Sequence, residues 1–518
     1  MSDLDLSQYE KKMIVRQMEH RDFPKIIDLQ KLCFTGMEPW KYSQLESHLR
    51  HFPEGQLVVE YDGLIIGSCS SLIVNFDEYQ DEHSYDQITD RGFITNHDSS
   101  GQELYGIEVM VHPDYRRMKI GRRLYEARKD LARRLNLKSI LIGGRIPNYH
   151  LHADEMSPRE YVEEVTRHNL YDPVLSFQLM NGFVLKRINR NYLKDDSKSM
   201  KYATLMEWPN VDFRPETARK RMRTALPVRV CAIQYMMRKI NSFDEFAQQV
   251  EYFTDVASGF GSDFAVFPEI FTTQLLSFLD NGSPSQAIRE LTEFTEDYIK
   301  HFTHLAVKYN INIVGGSHFV MEDSNVYNIA YLFRRNGTIE KQYKLHITPN
   351  ETKWWGIDPG DRLHVFDTDC GKIAILICYD IEFPELARIA TERGANIIFT
   401  PFCTDDRQGY LRVRYCAQAR AVENQVYTVI TGTVGNLTHV KNMDIQYAQS
   451  AIFTPSDFTF PRDGIIGECT PNVETVVVGD LDLEVLRRHR QNGSVMQLRD
   501  RRLDLYETTW KSDDSQSR

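Results

Sequence analysis

The sequence predicts an α/β protein with two domains in succession. The chain has 518 residues, which is more than one domain usually contains. Short apolar runs alternate with segments of helical period on both sides of residues 209–227, which is typical of α/β folds. Residues 209–227 carry three prolines and a cluster of basic residues without apolar periodicity, so we interpret them as a linker or a short bridging helix.

The first region, residues 13–208, opens with mixed strand and helix patterns. Residues 14–34 indicate a strand, a turn and an amphipathic helix. Residues 56–74 are apolar apart from Asp62-Gly63, which predicts a β-hairpin that turns at this dipeptide. The polar, acidic segment 75–103 that follows is either a lid over an acceptor site or a solvated insertion.

A basic strand-turn-helix comes next. Residues 106–111 predict a strand, His112-Pro113 begins the turn, and a helix with an apolar side extends to Leu135. Backbone N–H groups at the helix start, together with the surrounding basic side chains, suit a pyrophosphate. The alternative is a solvated basic helix start or a weak nucleic-acid patch.

This strand-turn-helix resembles the acetyl-CoA-binding motif of GNAT acetyltransferases, whose turn follows the pattern Arg/Gln-x-x-Gly-x-Gly/Ala. Arg116 and Gly121 match its first and last positions, whereas Lys119 stands in place of the first glycine. The resemblance implies acetyl-CoA as a cofactor of the first domain, contacted by Val109, Val111, Arg116, Arg117, Lys119, Gly121 and Arg122.

A later segment, FQLMNGFVLKRI, resembles the same family at Asn181 to Phe183. Members often carry a tyrosine shortly before this glycine as general acid, but this chain has Phe177 and Gln178 there, so no acid for acetyl transfer is identified. The segment NYHLHADE has the composition of metal ligands. Because no third, separated cluster accompanies it, we expect no metal site and assign it to the acceptor side of the cleft.

In the second region the pattern changes abruptly at Cys378. Residues 372–377 are almost continuously apolar and predict a buried strand, and the residues after Asp380 predict a helix that stops at Gly394. Cys378 is therefore predicted at a strand-to-helix turn, near backbone N–H groups that lower a thiol pKa or hold an oxyanion. The alternative is an inert buried cysteine.

Two further segments end in the same way. Glu269 follows an apolar run at 264–267, and Lys344 ends an alternating segment that leads through a short turn to Glu351. Considered one at a time, Glu269 is explained as a carboxylate at a helix N-terminus and Lys344 as a solvated strand end. Together with the thiol, they predict a site along one edge of a sheet.

The spacing and neighbours of these residues resemble the nitrilase superfamily, the carbon-nitrogen hydrolases with a Glu-Lys-Cys triad. The match extends from about Val228 to Leu483 and includes the motifs TPF at 400–402, ARAVENQVY at 419–427 and SAIFTP at 450–455. It implies a four-layer αββα sandwich that forms homodimers by helix packing.

The resemblance also implies a role for each site residue. Glu269 is the general base, Lys344 the oxyanion-stabilising cation and Cys378 the nucleophile, and Glu351 positions substrate and lysine. An amide is a poor electrophile with a poor leaving group, so attack must be coupled to proton delivery and charge stabilisation. This chemistry requires no metal and no cofactor in the hydrolase domain.

Composition limits the setting in which the protein works. The net charge of −11 argues against general affinity for nucleic acid, and no apolar run approaches transmembrane length, so we expect no membrane partner. The eight cysteines are scattered without CxxC pairs, which favours a reducing, cytoplasmic location over a disulfide framework.

These observations predict a GNAT-like domain at 13–208, a linker at 209–227, a nitrilase-like hydrolase domain at 228–483 and a C-terminal tail at 484–518. The leading hypothesis is hydrolysis of a small-molecule amide through a thioester on Cys378. In the alternatives, both domains catalyse consecutive reactions, or the first is a non-catalytic acyl-CoA sensor that regulates the amidase. An inert scaffold is disfavoured because all three catalytic residue types are present.

Overall fold

The computed structural model describes residues 5–34, 37–76, 79, 83–214, 227–279, 282–443 and 445–511. Within them the chain forms two compact units. The N-terminal unit contains residues 12–214, and the C-terminal unit contains residues 227–511 together with the arm 5–11. Most of the predicted linker, residues 215–226, lies outside the described residues, so the domain boundaries stay predictions. No helix in the described ranges is both long enough and apolar enough to cross a bilayer.

The N-terminal unit is built on one seven-stranded sheet. Its strands are β1 (Met13–Gln17), β2 (Gln56–Tyr61), β3 (Leu64–Val74), β4 (Glu103–Val111), β5 (Ser139–Arg145), β6 (Val184–Asn189) and β7 (Ala203–Pro209). The order in the sheet is β1-β2-β3-β4-β5-β7-β6, and only the central β4–β5 pair is parallel. The accompanying helices are α1 (Phe23–Cys33), α2 (Tyr42–His51), α3 (Tyr85–Ile88), α4 (Ile120–Arg134), α5 (Pro158–Thr166) and α6 (Leu175–Met180).

The centre of this sheet opens into a cleft. β4 pairs with β5 only from Glu103 to Gly106, while β5 continues to Arg145 along β7. Opposite β3, the register shifts so that Ser71 faces Gly106 and Ser70 faces Glu108, which leaves Ile107 as an extra residue. Such a bulge bends its strand, so the outer half of β4 turns away from β5. The predicted hairpin is confirmed as β2 and β3, with positive φ at both Asp62 and Gly63.

The C-terminal unit contains fourteen strands in one connected sheet. They are β8 (Val228–Met237), β9 (Phe264–Val266), β10 (Asn312–Val314), β11 (His318–Glu322), β12 (Asn325–Phe333), β13 (Ile339–Tyr343), β14 (Ile357–Asp358), β15 (Val365–Thr368), β16 (Gly371–Ile375), β17 (Ile397–Phe402), β18 (Tyr427–Gly435), β19 (Ala451–Phe453), β20 (Ile465–Glu468) and β21 (Thr475–Leu481). The helices are α7 (Phe243–Gly259), α8 (Pro284–Leu291), α9 (Thr295–Tyr309), α10 (Pro384–Glu392), α11 (Arg407–Asn424) and α12 (Leu483–Asn492).

The sheet folds into a sandwich at the contact between β8 and β18. These strands pair only over their last three residues, and from there the two halves pack face to face. Phe264 of β9 and Phe399 of β17 meet across the interior with ring centroids 5.1 Å apart. Helices α7 and α9 cover one outer face through Phe246 and Phe302, and α10 and α11 cover the other. The predicted four-layer αββα arrangement is therefore present.

Both ends of the chain contribute to the C-terminal unit. Leu6 and Tyr9 of the arm pack against its core, and the Glu10 carboxylate accepts the Ile339 N–H at 3.2 Å. At the other end, α12 buries Leu486, so this part of the predicted tail belongs to the core. Residues 512–518 of that tail lie outside the described residues.

Candidate active site

Cys378 lies where the sequence places it, between a buried strand and a helix. β16 ends at Ile375, Cys378 begins a 3-10 helix that ends at Glu382, and α10 follows with Pro384 as its first residue. The Cys378 φ is +46°, in the left-handed region that costs a residue with a Cβ about 1 kcal/mol or more. The turn holds the side chain almost completely buried, with 7% of the residue exposed.

Glu269 is buried three residues beyond the end of β9. One carboxylate oxygen accepts hydrogen bonds from Lys344 Nζ at 2.7 Å and from Asn328 Nδ2 at 3.1 Å. The other accepts the Cys403 N–H at 2.9 Å, and the Glu269 carboxylate also interacts with the Cys378 thiol. Glu269 therefore contacts both the ammonium group and the sulfur.

Lys344 follows β13, and Glu351 begins the π-helical turn Glu351–Trp355. The Lys344 ammonium donates to both Glu269 and Glu351 at 2.7 Å, and all three side chains are buried. Glu351 also accepts from the Thr348 N–H and hydroxyl at 2.9 Å. A buried cation is thus held between two buried carboxylates.

Burial and mutual charge set the protonation of this cluster. Burial raises the pKa of Cys378 well above its usual range, and the neighbouring Glu269 carboxylate adds to the increase. Burial also raises the pKa of Glu269, against the opposing effect of Lys344. Burial disfavours the charge of Lys344, but the attraction of Glu269 and Glu351 outweighs it and raises the pKa of Lys344. Burial likewise disfavours the charge of Glu351, but the attraction of Lys344 outweighs it and lowers the pKa of Glu351. Cys378 is therefore a neutral thiol beside a carboxylate suited to accept its proton.

Three residues that sequence reasoning did not single out complete the cluster. Asn328 of β12 donates from its amide to both Glu269 and Glu351 at 3.1 Å. Cys403, just past β17, presents its carbonyl oxygen 3.9 Å from the Cys378 sulfur. Buried Asp380 accepts the N–H groups of Ile377, Leu345 and His346, which ties the nucleophile turn to the lysine loop. The available signal for Asn328 was a polar residue within an otherwise apolar strand.

The predicted cofactor-binding residues surround the start of α4. Val109 and Val111 lie on the half of β4 that does not pair with β5. Arg116 and Arg117 are exposed on the 3-10 helix Pro113–Met118, and Gly121 and Arg122 lie in the first turn of α4. Lys119 adopts φ +50°, the conformation that glycine reaches without strain, so the departure from the glycine motif has a backbone cost.

Gly121, which matches the last position of the motif, packs closely against Phe177. A Cβ on Gly121 would lie 3.0 Å from the Phe177 ring, so this helix start depends on the missing side chain. Phe177 stands where the motif often has tyrosine, and it packs against the Tyr125 ring at 4.9 Å. In NYHLHADE, the His150 ring contacts the Pro147 and Lys198 carbonyl oxygens, and no group of three metal-binding side chains gathers among the described residues.

Known protein families match both regions of the chain. The sequence pattern of the carbon-nitrogen hydrolase family matches residues 228–491, about half of the chain. The chain belongs to this family. The pattern of the acetyltransferase (GNAT) family matches residues 23–153 of the same chain. The predicted fold class and the predicted fusion of a nitrilase-type hydrolase to a GNAT domain are confirmed.

Three relatives of this carbon-nitrogen hydrolase represent the whole chain and its parts. YhcX of Bacillus subtilis, described as a probable hydrolase, is 72% identical over 98% of this chain and 99% of its own length. YkwB of the same organism, an uncharacterized N-acetyltransferase, is 40% identical over 39% of this chain and 91% of its length. The omega-amidase NIT3 of Saccharomyces cerevisiae is 30% identical over 40% of this chain and 71% of its length.

Proposed function

We propose that the C-terminal unit hydrolyses a small-molecule amide through a thioester on Cys378. One observation supports this most directly: the Glu269 carboxylate contacts both the Cys378 thiol and the Lys344 ammonium inside a buried cluster. A base, a nucleophile and a cation in mutual contact are the groups that amide cleavage requires. The name of the NIT3 relative, an omega-amidase, supports amides over nitriles.

In the acylation step, the Cys378 sulfur attacks the amide carbonyl carbon while its proton passes to Glu269. The raised pKa of the thiol means that transfer and attack occur together rather than from a standing thiolate. The negative charge that develops on the carbonyl oxygen is stabilised by Lys344, an interaction typically worth about 3 kcal/mol. When the C–N bond breaks, the leaving nitrogen takes the proton from Glu269 and departs as ammonia or an amine.

In the deacylation step, Glu269 takes a proton from water while the water oxygen attacks the thioester carbon. The C–S bond then breaks, the sulfur recovers a proton from Glu269, and the carboxylic acid leaves. Glu351 and Asn328 act indirectly, because they hold Lys344 and Glu269 in place without contacting the sulfur.

The proposal is tested by measuring ammonia or amine release from a panel of small amides, carbamoyl compounds and nitriles. We expect release from one amide class and a protein mass increased by the acyl group when the reaction is quenched early. Release from nitriles alone, or turnover without an acylated Cys378 peptide, would contradict it.

We propose in addition that the N-terminal unit binds acetyl-CoA. Beyond Gly106, β4 has no strand partner on its β5 side among the described residues, so the main chain of Val109 and Val111 can hydrogen-bond an extended acyl-pantetheine arm. The adjoining N-terminus of α4 and its basic side chains suit the pyrophosphate. The resemblance to the N-acetyltransferase YkwB supports this assignment.

One observation favours acetyl transfer over mere sensing. Burial raises the pKa of Glu108 to about 8, and its Oε2 has no hydrogen-bond partner within the described part of the chain. Glu108 lies beside Val109 where β4 leaves β5, so it is placed to take a proton from an amine as the nitrogen attacks the acetyl thioester. No sequence motif marks this residue.

The Glu108→Gln variant is therefore expected to lose at least about 100-fold in amine-dependent CoA release, a usual size for a general base. In the wild type, kcat/KM should rise with pH through about 8, because a raised carboxyl pKa leaves the base protonated below it. The measurement is thiol release from acetyl-CoA with a panel of amines, with Glu126→Gln, on the partly exposed side of α4, as control.

Assays of CoA release and of acetyl-CoA binding distinguish a catalytic from a regulatory N-terminal unit. CoA release that depends on Glu108 supports two consecutive reactions in one chain. Heat of acetyl-CoA binding without any CoA release, combined with a change in amide turnover, supports a regulatory acyl-CoA-binding domain.

We also propose that the protein is a homodimer through its C-terminal unit. Large apolar side chains are exposed on its surface, including Tyr415 of α11 at 61% and Tyr506 at 59%. Light scattering of the wild type should give twice the mass of one chain, which is 60.5 kDa. The Tyr415→Glu variant should shift the protein toward the mass of one chain. A monomeric wild type would contradict the dimer.

All eight cysteines are free, which fits a reducing compartment.

A further inference from the structure

Glu382 lies at the far end of the 3-10 helix that Cys378 begins. Four residues of 3-10 helix rise by about 8 Å, which is the length of a short extended alkyl chain plus one hydrogen bond. The Glu382 side chain is 18% exposed, so it is reachable but largely enclosed. Neither its position nor its charge is used in the hydrolytic mechanism.

The main chain at Glu382 is held rigidly. Arg420, itself buried, donates to the carbonyl oxygens of Ile381 and Glu382 at 3.1 and 3.0 Å. Burial raises the pKa of the Glu382 carboxyl, against the opposing charges of Arg412 and, to a smaller extent, Lys344. Its ion-pair partner is Arg412, at 3.5 Å, whose side chain is 64% exposed.

A second carboxylate belongs to Asp405, two residues beyond Cys403 in the chain. The main chain of Cys403 contacts both Cys378 and Glu269. The neighbour of Asp405, Asp406, has a different role, because its side chain caps the start of α11 through the Gly409 N–H. Asp406 is therefore used to cap α11, whereas Asp405 is not part of that cap.

The charges near Cys378 thus favour a cation. Carboxylates come from Glu269, Glu351, Glu382 and Asp405, and cations from Lys344, Arg412 and Arg420. All three cations already contact carboxylates, Arg420 that of Glu423. Three further basic side chains of this unit have partners of their own: His346 contacts Asp380, Lys353 lies over the Trp354 ring, and Arg407 donates to the Tyr447 hydroxyl.

We propose that Glu382 selects amides whose non-reacting end carries an ammonium group. The inference rests on the proposed amidase function and specifies its substrate class. An ammonium group gains a charge-assisted hydrogen bond at Glu382, whereas a second carboxylate would face the carboxylates of Glu382 and Asp405. The exposed Arg412 can move into solvent when the substrate ammonium takes its place at Glu382.

The test compares three amides of similar length that differ only in end charge: aminovaleramide, valeramide and glutaramate. We expect the wild type to prefer aminovaleramide over valeramide by at least about 30-fold in kcat/KM, with glutaramate the poorest. Glu382→Gln should reduce that preference by a similar factor, and Glu382→Lys should reverse the order of the two charged amides.

Two further variants keep the test decisive. Arg412→Gln frees Glu382 from its partner and should increase the preference for aminovaleramide even if Glu382 variants fold poorly. Glu385→Gln, an exposed carboxylate on the adjoining helix, is the matched control and should keep the wild-type ratio. Equal use of the three amides, a preference for glutaramate, or an unaltered ratio in Glu382→Gln would overturn the assignment.

Failure of the specificity is distinguishable from failure of the amidase. If valeramide is cleaved in a Cys378-dependent manner but end charge has no effect, the assignment of Glu382 is wrong and the amidase stands. If no amide is cleaved, or if cleavage survives Cys378→Ala, both proposals fall.

Discussion

Replacing Cys378 with alanine is expected to reduce amide turnover by at least about 10⁴-fold, as removal of a catalytic nucleophile does in other hydrolases. The acyl-enzyme cannot form without the sulfur, and the remaining cation and base only hold the substrate. The fold should survive, because the β-carbon stays and little volume is lost. Ammonia release, the mass of the quenched protein and the melting temperature together measure this result.

Cys416→Ala provides the matched control for this loss. Cys416 is a partly buried free thiol on α11 without a contact to the Glu269 cluster, so its removal should leave turnover within about twofold. Full activity in Cys378→Ala would contradict the mechanism. Equal loss in both variants would point to general disturbance of the fold.

Replacing Lys344 with methionine is expected to reduce both activity and stability. Turnover should fall about 10²- to 10³-fold, because the oxyanion loses its stabilising cation. The free energy of unfolding should fall by about 3–5 kcal/mol, because the carboxylates of Glu269 and Glu351 remain buried without their shared counter-ion. Denaturant unfolding beside ammonia release measures the two losses separately.

A double variant separates the loss of oxyanion stabilisation from the loss of the counter-ion for the buried carboxylates. Lys344→Met combined with Glu351→Gln removes one uncompensated carboxylate and should recover part of the lost stability without recovering turnover. Lys300→Met is the surface comparison, since Lys300 pairs with Glu296 in an exposed i,i+4 contact that contributes little to stability. Normal stability in Lys344→Met would show that the cluster is not charged as described.

Local sequence patterns predicted most of the elements. The Asp62-Gly63 turn, the apolar run before Cys378 and the stop at Gly394 each depend on a few neighbouring residues, and all three occur as expected. Glu269, Lys344 and Cys378 could be proposed in advance because each ends a strand in a distinctive local sequence. Their convergence was expected along one sheet edge, whereas the structure brings them together across a sheet folded upon itself.

The sequence alone thus determined the two fold types, their order and the chemical types of the candidate catalytic residues, because these depend on local period and short motifs. Only the tertiary structure decided which groups surround them. Cys403 donates to Glu269 from 134 positions away and Asn328 from 59, distances over which no local pattern carries information. The Glu108 oxygen that has no hydrogen-bond partner among the described residues and the contact between Glu382 and Arg412 likewise arise from strand separation and helix packing, since burial and counter-charges depend on residues remote in the chain.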